Sequence, residues 1–224
     1  MRPIGFSTGS LMPGQVRRAL EILAPHATTA IELSALRMSE LPELLAGVEA
    51  ATLDGMKYIS FHSPSRWQPL SDRDMLIQLQ PMIERGWPII VHPDVITDWE
   101  VWARLGSQLV VENMDGRKPM GRTVQELEAV FRKLPQARFC FDVGHAYQMD
   151  SHQRLGNDLL AAYGDRLVEI HLSEVNDDYT HQPMSEAFID AVRPLLVKCP
   201  AVPIILETPV VAETLGQQLQ LARF

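Results

Sequence analysis

The chain has 224 residues, 46% of them hydrophobic and 21% charged, with a formal net charge of −8. That is the balance of a folded globular protein long enough to bury roughly 70% of its unfolded surface, so it needs no staple, and its two cysteines, Cys140 and Cys199, set up no disulfide framework. The acidic balance argues against a nucleic-acid surface or an anionic membrane, both of which call for clustered cations.

No apolar run approaches the roughly 20 residues of a bilayer span. The opening segment MRPIGFSTGS lacks the apolar stretch of a secretory signal, so the expected location is the cytoplasm.

In chain order the pattern predicts a strand at Pro3–Ser7, a helix at Gln15–Leu23 after the Pro13-Gly14 turn, a strand at Thr29–Leu33 and a helix at Leu41–Ala50. A strand at Lys57–His62, a helix at Arg73–Arg85, a strand at Pro88–His92 and a strand at Leu109–Glu112 follow. Thr123 and Glu126 form a capping box for a helix at Val124–Leu134. Then come a strand at Arg138–Asp142, a helix at Gln153–Tyr163, a strand at Leu167–Leu172, a helix at Ser185–Lys198 and a strand at Pro203–Glu207. Pro88 and Pro203 open their strands, where a missing N–H is tolerated. Eight strand-and-helix units of about 28 residues imply an α/β protein whose parallel eight-stranded sheet closes into a (β/α)8 TIM barrel with short loops. No linker or low-complexity segment interrupts residues 1–224, so one domain is expected.

Strands of such a barrel are covered on both faces and should be apolar. Six consecutive strands break this rule at their C-terminal ends, with His62, His92, Glu112, Asp142 (and His145 just beyond), His171 and Glu207. The C-terminal mouth of a barrel is where active sites assemble. Imidazoles and carboxylates brought together unpaired would bury uncompensated charge, which a bound cation relieves, and this donor set suits manganese, zinc, cobalt or iron. His26 and His152 fall in helix or loop positions and receive no role. The cluster Arg117–Arg122 follows the fifth strand and could hold a phosphate or carboxylate through Arg117 and Arg122. Trp67 and Tyr147 follow strands and could stack on a sugar ring; Glu32 and Glu174 could orient ligands. No Gly-rich phosphate loop, nucleotide fingerprint or nucleophile elbow occurs.

The segments Phe61-His62-Ser63-Pro64, Val91-His92-Pro93, Val111-Glu112-Asn113-Met114, Phe141-Asp142-Val143-Gly144-His145, Ile170-His171-Leu172 and Ile205-Leu206-Glu207-Thr208-Pro209 resemble, in order and spacing, the xylose-isomerase-like barrel superfamily. That superfamily contains sugar-phosphate isomerases and epimerases as well as endonuclease IV. In its epimerase branch the resemblance implies one divalent metal on Glu112, Asp142, His171 and Glu207, with the two glutamates as acid and base. In its endonuclease branch His62 and His92 join Glu112 at a second metal. A third would use His145, Glu207 and an Asp-x-His pair, for which this chain has Tyr179-Thr180-His181. The His is present and the Asp is not, with Asp177 or Asp178 as candidate substitutes. One or two ions are therefore expected, and a third is disfavoured.

Glu112 and Glu207 on a metal have the parts for moving a proton beside a carbonyl. The first expectation is a metal-dependent isomerase, epimerase or related lyase acting on a small sugar-like molecule, with His62, His92, His145, Trp67, Arg117 and Arg122 reaching the substrate. The alternatives are an endonuclease IV-like phosphodiesterase and a sugar-binding barrel without catalysis. The oligomeric state stays open.

Overall fold

The computed structural model describes residues 2–50 and 53–223. Its strands in chain order are β1 (Ile4–Ser7), β2 (Ala30–Ser34), β3 (Tyr58–His62), β4 (Ile89–Val91), β5 (Leu109–Glu112), β6 (Arg138–Asp142), β7 (Leu167–Leu172), a short antiparallel pair β8 (Glu174–Val175) and β9 (His181–Gln182), and β10 (Ile204–Leu206). Eight of them close in the order β1-β10-β7-β6-β5-β4-β3-β2, every neighbouring pair parallel, which is the TIM barrel expected from the repeat.

Strand alternation sorts the two faces. Phe6, Ile31, Leu33, Phe61, Ile89, Val91, Val111, Phe139, Phe141, Ile170, Leu172, Ile204 and Leu206 join one large apolar core with the surrounding helices. The residues between them turn into the barrel. Ser7, Glu32 and Ser60 stand side by side in register, as do Asp142 and His171. Ile90, Val110 and Cys140 form a small separate apolar cluster with Val168. Neighbouring β1 and β2 come so close that a Cβ on Gly5 would stand 1.6 Å from the Ala30 carbonyl oxygen, so only glycine fits there.

The expected helix over Arg73–Arg85 is two shorter ones, Asp72–Gln78 and Gln80–Glu84, because Pro81 opens the second. Helices at Thr8–Leu11, Trp99–Ala103, Val143–Met149 and Ala212–Leu221 add to those marked by periodicity. The helix Val143–Met149 starts directly at the end of β6: Asp142 is its N-cap, and its Oδ1 accepts from the His145 backbone N–H at 2.6 Å. A Cβ on Gly144 would meet the Ser173 carbonyl oxygen at 2.5 Å, so glycine lets this helix settle against the end of β7. Among the described residues no helix is long and apolar enough to cross a membrane.

Candidate metal centre

Glu112 is the hub. It ends β5, is 1% exposed, and splits its two oxygens between neighbours. Oε2 lies 3.1 Å from His62 Nε2 and 3.2 Å from His92 Nε2; Oε1 lies 3.4 Å from His171 Nδ1 and 3.6 Å from His145 Nδ1. Burial opposes a charge on Glu112, but His171, His62 and His92 hold its carboxyl well below the usual range. Glu207, just past β10, puts Oε2 3.6 Å from the same His171 Nδ1. Burial, reinforced by the negative charges of Glu112, Glu32 and Asp142 and opposed by His171, pushes Glu207 up to about 8. The two glutamates thus meet at one imidazole nitrogen with opposite proton preferences.

The remaining groups are fixed by the local chain. Asn113, next to the hub, grips the backbone of Asp142: its Oδ1 accepts from the Asp142 N–H at 2.8 Å and its Nδ2 donates to the Asp142 carbonyl at 2.9 Å. The Asp142 carboxyl is raised to about 6 by burial, against the pull of His145. His62 donates from Nδ1 to the Ser63 carbonyl at 2.8 Å; burial works against its charge, yet Glu32 and Glu112 push it up to about 9. His92 is lowered by burial.

His181 arrives on β9 and lines the mouth, its Nδ1 2.7 Å from Ser173 Oγ and 3.9 Å from Glu207. Burial and the nearby His145 lower it to about 4.

Among the described residues, three groups of side chains bring ligand atoms within 4.8 Å of one another: Glu112, Asp142, His171 and Glu207; His62, His92 and Glu112; and Glu32, His62 and His171. The first set fits a divalent metal on its own evidence. Asp142 Oδ2 is buried and makes no hydrogen bond, and it points within a ring of carboxylate and imidazole donors. Neither His145 nor His181, nor Asp177 or Asp178, belongs to any such group among the described residues. Tyr179 stands where the Asp of the Asp-x-His pair would be. It takes a left-handed backbone at φ 58°, with the Arg117 guanidinium 5.0 Å from its ring.

Above these groups opens a cavity of about 340 Å³, lined by His62, His92, Glu112, His145, His181 and Glu207 together with Leu36, Ser65, Met114, Asp115, Arg117 and Lys118.

Two expected substrate contacts are corrected. Trp67 is fully buried, its Nε1 donates to Asp72 at 2.9 Å, and its ring packs 5.3 Å from Trp102, so it is core and not a sugar platform. Arg122 is paired with Glu126 at 2.6 Å at the head of the helix Val124–Lys133 and is absent from the cavity lining; Lys118 takes that place. Arg117 lines the cavity but is held by Asp115 at 2.7 Å, and Lys118 by Asp94 at 3.1 Å. Tyr147 packs edge-on against Phe188, and Glu174 accepts from the Ser185 backbone N–H.

A buried acid inside a strand escapes a reading of strand ends. Glu169, inside β7, is fully buried and reaches across the barrel to Tyr58 and Ser60 on β3. Its signal was a charge two residues before His171 in a strand that should be apolar on both faces.

The model of the xylose isomerase-like TIM barrel family matches residues 46–220. The chain belongs to that family. Family membership accounts for the barrel. No curated protein sequence matches the chain.

Among solved structures, endonuclease IV from Thermus thermophilus is similar at 20% identity and TM-score 0.60, covering 99% of this chain and 97% of that one. The 3-keto-D-glucoside 4-epimerase from E. coli is similar at 15% identity and TM-score 0.62, covering 99% and 98%. The probable 3-DHS dehydratase from Bacillus anthracis is similar at 9% and TM-score 0.67, covering 99% of both chains. At these identities the likeness is one of fold. These neighbours include an epimerase, a probable dehydratase and an endonuclease on the same scaffold.

Proposed function

We propose that this chain is a metal-dependent enzyme that moves a proton at a carbon beside a carbonyl in a small sugar-like molecule, as an isomerase, an epimerase or a related lyase. The observation that carries the reading is the pair Glu112 and Glu207. Each brings an oxygen to the same nitrogen, His171 Nδ1, at 3.4 and 3.6 Å, and both line one cavity; in the metal-free protein the first is held as a carboxylate and the second favours its proton. Acid and base roles separate where environments push two such groups apart. Glu112 would accept the proton from carbon, and Glu207 would return one from the other side. A divalent ion on Glu112, Asp142, His171 and Glu207, such as manganese, zinc, cobalt or iron, would supply positive charge for the oxygen on which negative charge develops.

The volume of about 340 Å³ lies at the small end for ligand pockets, which suits a monosaccharide-sized substrate. His62, His92, His145, His181 and Arg117 on its walls are the candidates to bond substrate hydroxyls. The net charge of −8 and the cytoplasmic setting expected from the sequence agree with a soluble metabolite as partner. The test is incorporation of solvent deuterium into a panel of ketoses and their phosphates. Exchange that needs metal and disappears in Glu207→Gln supports the reading; no exchange with any member of the panel counts against it.

One observation favours a second reading. His62 and His92 gather on Glu112 Oε2 as a second prepared group, which one-metal proton transfer does not require and a two-metal phosphodiesterase would use. Metal-dependent cleavage of an abasic-site duplex would put this reading first. Binding of sugars with neither reaction would favour a non-catalytic barrel.

A further inference from the structure

We propose that Glu169 is a positioning residue that fixes the ring of His171 with its hydrogen on Nε2, so that Nδ1 is the nitrogen presented to the metal. The inference rests on the metal centre proposed above and concerns residues beneath it.

His171 is fully buried and has carboxylates on both sides. Its Nδ1 faces Glu112 and Glu207 at 3.4 and 3.6 Å, within the four-residue metal group. Its Nε2 faces the barrel interior, where two carboxylates compete for it. Glu32 Oε2 is the nearer at 3.1 Å, yet neither Glu32 oxygen makes a hydrogen bond. Glu169 Oε1, at 3.2 Å, accepts one.

Glu169 is itself held. Tyr58 Oη donates to its Oε2 at 2.6 Å and Ser60 Oγ to its Oε1 at 3.1 Å. The carboxylate therefore collects three donors, two of them from the opposite wall of the barrel, and cannot swing toward another partner without abandoning buried hydroxyls. Its Oε1 is thus a fixed partner for His171 Nε2, on the edge of the ring away from Glu112 and Glu207. When Nδ1 ligates a metal the ring keeps a single N–H, on Nε2, and Glu169 is the acceptor placed to hold it. A carboxylate behind a ligating histidine both orients the ring and raises its basicity. The strand period produces the arrangement: Glu169 and His171 alternate inward on β7 as Tyr58, Ser60 and His62 do on β3.

The test compares the wild-type chain with Glu169→Gln, Tyr58→Phe and Glu32→Gln. Zinc affinity is measured by calorimetry, and the His171 ring by nitrogen-15 NMR of the chelator-treated and the zinc-loaded protein. Wild type should show a downfield, slowly exchanging ring proton on Nε2 in both forms. Glu169→Gln should lose that resonance and bind zinc about 10- to 100-fold more weakly while keeping its far-ultraviolet spectrum. Tyr58→Phe removes one anchor and leaves the carboxylate, so its loss should fall below about tenfold. Glu32→Gln should leave the Nε2 resonance in place. Should Glu169→Gln fail to fold, a Tyr58→Phe, Ser60→Ala double variant frees the carboxylate without removing it and should broaden the resonance. The proposal is overturned by an intact Nε2 resonance with zinc affinity within about twofold of wild type in Glu169→Gln. Loss of the resonance in Glu32→Gln instead would overturn it too. A wild-type chain that binds no zinc would sink the metal centre, while the ring proton in the chelator-treated protein still decides for or against Glu169.

Discussion

Replacing Glu112 by Gln should do more damage to metal binding than replacing any other residue at the mouth. The reason is the division of its oxygens: Oε2 serves His62 and His92 at 3.1 and 3.2 Å, while Oε1 faces His171 at 3.4 Å. Glu112 is the one residue shared by the His62–His92–Glu112 group and the Glu112–Asp142–His171–Glu207 group. A glutamine keeps the shape but turns one oxygen into an NH2, which cannot ligate a metal. One group then loses a ligand outright, and the other keeps only a neutral oxygen. Loss of an outer-shell partner already costs about 10- to 100-fold in affinity, so loss of a direct anionic ligand should exceed about 100-fold, or roughly 2.7 kcal/mol. In the metal-free protein the same change strips a buried counter-charge from four imidazoles, an effect on the order of 3–5 kcal/mol in unfolding free energy. Titration with zinc or manganese by calorimetry, alongside elemental analysis and denaturant unfolding, reads both effects. His92→Ala should remove ligands from one group only, and Glu207→Gln from the other only. A Glu112→Gln protein that binds as many ions as wild type with the same affinity would refute the shared-ligand geometry.

Other outcomes follow from single features. Trp67→Ala should cost about 3–5 kcal/mol of stability by opening a cavity beside Trp102, while metal affinity in the folded protein stays near wild type; a selective loss of sugar binding at unchanged stability would restore Trp67 to the substrate. Gly5→Ala should prevent barrel closure or unfold the protein at much lower temperature, since its Cβ would sit 1.6 Å from a backbone oxygen; a melting temperature equal to wild type would show that β1 and β2 part more easily than their register suggests. Chelator-treated protein should lose stability as pH rises from about 6.5 to about 8. His62 is raised to about 9 and Glu207 to about 8, so the folded state holds protons in that window that the unfolded state has released. Both contributions fade with rising pH, and a chelated protein that grows more stable across the window contradicts the assignment. Asp142→Ala should remove a helix cap worth about 1 kcal/mol and a metal ligand together, whereas Asp142→Asn should keep most of the cap and lose the metal; equal metal affinity in Asp142→Asn would exclude Asp142 as a ligand.

The chain pattern alone determined the barrel and, to within one residue, the C-terminal ends of its strands. Polar side chains at the close of apolar runs cannot be covered by helices on one face and packed in apolar layers on the other, so Glu112, Asp142, His171 and Glu207 had to meet at the mouth once eight parallel strands closed. Periodicity carries that much because a strand has two faces and a fixed period of 2. It carries no direction for a loop side chain. Trp67 turned inward to Trp102, and Arg122 was taken by Glu126, through contacts that depend on where other elements lie. It also says nothing about partners across the barrel. Tyr58 and Glu169 are 111 residues apart, and only closure of the sheet puts the phenol 2.6 Å from the carboxylate beneath His171. The sequence determined which face of its strand each side chain takes, because alternation is local. Tertiary structure decided which of them hold one another in place, because hydrogen bonds and burial depend on distances that no spacing along the chain encodes.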